Sequence, residues 1–159
     1  MSTHAGTPTH DAQVSPELAP RVFRVEVRPR AESLDARGHS VATRARALGL
    51  GVTGVGSARV YLVEAALERR QLERLAGALL VDPVTEQGFI GSSSVAPPAR
   101  LVEIHPLPGV MDPAAQSVEA AARDLLGLPD HCALRVSTGL RYEVRLDVNA
   151  PAESVEQLA

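Results

Sequence analysis

Side chains that could do chemistry are few in this sequence, and their spacing decides what they can do together. All 16 basic residues are arginine and there is no lysine. That excludes Schiff-base chemistry and a lysine-dependent phosphate loop. Cys132 is the single cysteine, so neither an internal disulfide nor a cysteine-cluster metal site can form. No Ser/His/Asp arrangement, HExxH motif or carboxylate cluster is present. Gly49, Gly51 and Gly54 spell G-x-G-x-x-G, but a helix pattern precedes them and a strand pattern follows. A dinucleotide fingerprint needs the reverse order, so the stretch reads as a helix stop feeding a strand. Asp35 and Asp112 sit where helices begin, and read as caps for first-turn amides rather than as catalytic acids. His105 closes a strand, either as a basic position facing a partner or an anion, or as an exposed strand end. Arg59 and Arg141 flank Tyr61 and Tyr142, and would either pair with a partner's acids or be solvated on a sheet. With Gly109 in a tight bend, the residues Arg59, Tyr61, His105, Gly109, Asp112, Arg141 and Tyr142 form a candidate contact surface. No catalytic, cofactor or metal site is expected.

The elements that must position these residues follow from patterning. Val22–Arg28 alternates Arg24, Glu26 and Arg28 with Phe23, Val25 and Val27, a half-buried strand ended by Pro29. A helix is expected from about Ala36 to Leu48. Arg59–Glu64 reads as a strand. A second helix carries Leu72, Leu75, Ala76, Leu79 and Leu80 on one side and charges on the other, and stops at Val81-Asp82-Pro83. Val84–Ile90 offers a short strand. Leu101–Ile104 is another strand, broken by Pro106, Pro108 and Gly109; Asp112-Pro113 then starts a helix. Tyr142, Val144, Leu146 and Val148 alternate over polar neighbours, a last strand.

The strand, corner and capped helix occur twice, 77 residues apart. Val25, Glu26, Pro29, Asp35, Ser40, Val41, Ala45, Arg46 and Leu48 match Val102, Glu103, Pro106, Asp112, Ser117, Val118, Ala122, Arg123 and Leu125. Nine identities in 24 positions exceed the roughly two that composition would give. The expected apolar faces also superpose: Leu34, Gly38, Val41, Ala45 and Leu48 on Met111, Ala115, Val118, Ala122 and Leu125. The reading is an internal duplication. It gives a leader over 1–20, a first repeat over 21–90, a Ser/Gly/Pro linker over 91–99 and a second repeat over 100–159. Val155, Leu158 and Ala159 echo Leu72, Leu75 and Ala76, so the second repeat is expected to lack the end of its second helix and its last strand. The expected fold is α+β, two βαβ(β)αβ halves related by a pseudo-twofold.

Net charge of −3 argues against a nucleic-acid partner, and no apolar run approaches a membrane span. Without a secretory n-region and apolar core, a cytoplasmic location is the expectation. His4 and His10 lie in a leader that reads as a solvated tail.

The Pro108–Pro113 corner, Ser117-Val118 on the following helix, and the closing Leu79–Val84 step resemble the PurS subunit of phosphoribosylformylglycinamidine (FGAM) synthase. They equally resemble the N-terminal region of the long single-chain synthase. The resemblance spans 22–90 as a whole copy and 101–159 as a partial one, and departs at Ser33 and Ala36. It implies a ferredoxin-like related fold, with the two copies standing for a PurS dimer made covalent, and further self-association. It also implies a non-catalytic scaffold in de novo purine biosynthesis, holding the glutaminase to the ATP-dependent synthetase. ATP and magnesium would belong to the synthetase partner. The competing reading is a tandem regulatory module that binds a small molecule. An RNA-binding ferredoxin-like domain is weaker, given few aromatics and the negative charge.

Overall fold

The computed structural model describes residues 19–94 and 99–147. Five strands form one antiparallel sheet: β1 (Arg21–Pro29), β2 (Val52–Ala65), β3 (Glu86–Ile90), β4 (Ala99–Ile104) and β5 (Leu134–Leu146), ordered β3-β1-β2-β5-β4. Among the described residues three α-helices accompany it: α1 (Ala36–Ala47), α2 (Arg69–Leu75) and α3 (Pro113–Leu126). α2 widens into a π-helical turn over Ala76–Leu80. The architecture is therefore α+β and compatible with a ferredoxin-like fold. None of the described helices is long and apolar enough to cross a membrane. The expected leader (most of it), the end of the linker, Val148, and the Val155, Leu158 and Ala159 stub lie outside the described residues.

Alternation within the strands sends odd positions of β1 and β2 and even positions of β4 and β5 to one face. All three helices lie there. Val25, Val27, Tyr61, Val63 and Val136 pack with Leu72, Leu75 and Leu80 of the α2 region and Ala115 and Ala122 of α3. Beside them Val52, Val55 and Val144 pack with Ala42 and Ala45 of α1. Both strands of the central pair are longer than the pattern suggested. β2 runs through the glycine-rich stretch, and β5 starts eight residues ahead of Tyr142.

The buried helix faces hold the expected small residues but not the large ones at their ends. In α1 the core takes Gly38, Ala42 and Ala45, while Val41 is half-buried and Leu34 and Leu48 are exposed. In α3 it takes Ala115 and Ala122, with Val118 half-buried and Met111 exposed. The reason is distance. Gly38 comes so close to β2 that a Cβ would lie under 3.0 Å from the Val55 carbonyl oxygen. Only small residues fit along such a contact, so the larger ones are turned to its flanks.

The residues that match across 77 positions in the sequence pair as follows. Val25 faces Tyr61 and Glu26 faces Val60; Val102 faces Tyr142 and Glu103 faces Arg141. In the central β2–β5 pair, Ser57 faces Tyr142 while Tyr61 faces Thr138, with Arg59 opposite Leu140 midway between. β3 covers the outer edge of β1, whereas β4 has no strand on its outer edge among the described residues.

Candidate functional site

Two aspartates fix the centre of the helix face. Asp35 accepts from the Gly38 amide at 2.7 Å, and from the Ser57 amide and hydroxyl, each at 2.6 Å. Asp112 accepts from the Ala115 amide at 2.9 Å, and from the Thr138 amide at 3.0 Å and hydroxyl at 2.8 Å. Each carboxylate thus caps its helix and pins that helix start to a central strand. Burial alone would raise the Asp112 carboxyl, but the Ala115 amide and the Thr138 hydroxyl and amide outweigh it and hold it below its ordinary value.

Between the starts of α1 and α3 lies a groove of about 550 Å³, floored by Arg59, Tyr61 and Leu140 and flanked by Arg37, Ala114, Ile104 and Pro106. Arg59 donates to the Glu86 carboxylate at 2.6 Å and the Leu80 carbonyl at 3.2 Å, and its guanidinium carbon lies 5.9 Å from the Tyr61 ring centroid. A second recess of about 590 Å³ adjoins it under the corner, lined by Gly109, Val110, Met111 and Asp112. Gly109 takes φ of +83°, a left-handed conformation suited to glycine. His105 borders both spaces. Its ring packs on Gly139, where a Cβ would come within 3.0 Å, and its Nε2 lies 3.3 Å from Glu103.

The candidate contact residues therefore divide. Arg59, Tyr61 and His105 meet at the groove, and Gly109 and Asp112 at the adjoining recess. Tyr61 is only 7% exposed and belongs to the core. Tyr142 is half-buried against the α1 cluster. Arg141 corrects the expectation of a solvated or partner-facing arginine: it is buried on the opposite face, in an ion network centred on Glu26.

That network escaped the sequence reading. Glu26 Oε1 accepts from Arg141 Nη1 at 2.6 Å and Arg24 Nε at 2.9 Å. Its Oε2 accepts from the Ser93 hydroxyl at 2.6 Å and amide at 3.1 Å. Arg24 also pairs with Glu103, and Arg28 with Glu143. Arg141 donates to the Ser93 carbonyl at 3.0 Å, so the start of the β3–β4 connection is tied down onto this face. Burial pushes the Glu26 carboxyl up, but the Ser93 and Arg24 hydrogen bonds and the Arg141 charge hold it below its ordinary value. Glu103 is lowered chiefly by its hydrogen bond from Arg24. The available signal was that Arg24, Glu26, Arg28, Arg141 and Glu143 alternate in phase on strands that later pair. Arg37 of the groove was missed as well, because an arginine one residue into a helix carries no signal alone.

Among the described residues, no group of three or more His, Cys, Asp or Glu could hold a metal ion. No family model matches the chain. No curated protein matches it either.

Proposed function

We propose that the chain is a PurS-like assembly module, two ferredoxin-like related repeats joined as a covalent pseudo-dimer. It would serve as the non-catalytic part of an FGAM synthase, coupling a glutaminase to an ATP- and magnesium-dependent synthetase in the cytoplasm. The observation that carries the reading is the equivalence of the two halves in register and capping. Residues matched 77 apart pair with equivalent partners, and Asp35 with Ser57 repeats as Asp112 with Thr138. Among the described residues β4 has no strand on its outer edge, whereas β1 has β3 on its own. Such an edge can accept a strand from a neighbouring subunit.

Removing this chain from its native system, with the synthetase still folded, tests the reading. Glutamine-dependent turnover should be abolished, while turnover at high ammonia survives, because only the coupling is lost. Unchanged glutamine-dependent turnover refutes it.

A second reading, a regulatory module binding a small molecule between its halves, is favoured by one observation. The groove lies between the starts of α1 and α3, and its volume falls in the range of small-molecule sites.

A further inference from the structure

The groove's lining is chemically one-sided. Its apolar wall is Ile104, Leu140 and Ala114, and every charged side chain that lines it is a base. Two of these bases are already engaged, Arg59 by Glu86 and His105 by Glu103. Arg37 makes no hydrogen bond or ion pair with any described residue. Tyr61 is 7% exposed and lines the groove, and its hydroxyl, which is not enclosed, makes no hydrogen bond with any described residue. At each helix start one first-turn amide, that of Gly38 or of Ala115, is already taken by Asp35 or Asp112.

From these contacts we infer that the groove binds a small monocarboxylate with an apolar body. One free guanidinium can hold a single carboxylate through two parallel hydrogen bonds, and the Tyr61 hydroxyl supplies one further polar contact. The apolar body lies along Ile104, Leu140 and Ala114. A polyanion such as a nucleotide would need more than one uncommitted cation. The inference rests on the small-molecule reading and gives it a ligand class.

The test is a titration of the full chain, followed by amide chemical shifts, with 3-phenylpropionate and with its neutral amide, 3-phenylpropanamide. The carboxylate should give saturable shifts at Ala114, Leu140 and Ile104, and bind at least about tenfold more tightly than the amide. Arg37→Ala, on an exposed helix position, should remove that preference without changing the melting temperature. Tyr61→Phe should weaken the carboxylate a few-fold, and Leu140→Trp, by filling the groove, should block both probes. Equal binding of the two probes at the groove overturns the carboxylate assignment and leaves a small-molecule site. Absence of saturable shifts there overturns both.

Discussion

Replacing Glu26 by leucine should be among the most costly single changes in the chain. The carboxylate is fully buried and accepts four hydrogen bonds, two from arginines and two from Ser93. Its loss leaves Arg141, 3% exposed, with the Ser93 carbonyl and a 3.4 Å contact to Glu143. Stranding a buried charge in this way costs about 3–5 kcal/mol. Arg141→Met should cost less, about 1–3 kcal/mol, because Glu26 keeps its Arg24 and Ser93 donors. The double variant removes both charges and fills the space with apolar groups, so its cost should fall to about 0–2 kcal/mol, well below the sum of the singles. Urea unfolding of the full chain, with the slope checked for constancy, measures all three. The same Glu26 variant should speed proteolysis at Ser92–Ser94, whose tie to the sheet is Glu26 and Arg141. Additive single costs, or a Glu26→Leu cost under about 1 kcal/mol, would refute the claim that this network holds the second face of the sheet.

Two further outcomes follow from the geometry. Gly38→Ala should destabilise by about 1–3 kcal/mol despite the gain of roughly 1 kcal/mol in helix propensity, since the new Cβ meets the Val55 carbonyl oxygen and the Asp35 carboxylate, which Ser57 holds in place; equal melting temperatures would count against it. Stability should be full above the ordinary carboxylate range and fall as pH drops through the lowered values of Glu26, Glu103 and Asp112. The unfolded chain takes up those protons first, below about pH 4.5, so the native state loses ground as pH falls. Urea midpoints from neutrality to about pH 3 read it, and a flat profile refutes it.

What was legible in the sequence is what short-range pattern encodes. The strand alternation of β1, the proline-glycine corner and the two aspartate caps are each written in a few adjacent residues. The expected face of α1 holds at Gly38 and Ala45, while Ala42 rather than Val41 is the fully buried residue between them and Leu34 and Leu48 are exposed. Which side of the helix is buried was set by how near β2 comes at Gly38, a tertiary distance with no local mark. Arg141 was misplaced for a similar reason. Alternation gives its face, but a polar face becomes an interior only when something crosses it. Here the chain after β3 does so, because β3 and β4 lie on opposite edges of the sheet.

On the duplication reading, the two halves differ most where they meet. Arg59 and Leu140 face each other in the central strand pair and are equivalents of one another, as Arg37 is of Ala114. A symmetric pair of chains would set two arginines directly opposite, and like charges so placed destabilise a sheet. Joining the halves in one chain frees each position to change alone. The first half can keep Arg59, bound to Glu86, while the second supplies leucine. The groove between them is then basic on one wall and apolar on the other, which a symmetric dimer of identical repeats could not build. Restoring symmetry with Leu140→Arg should lower stability by a few tenths to about 1 kcal/mol, the scale of a cross-strand pair. In the same variant both probes should bind more weakly, because the apolar wall is lost, while the preference for 3-phenylpropionate over its amide should widen, because the new guanidinium favours only the anion.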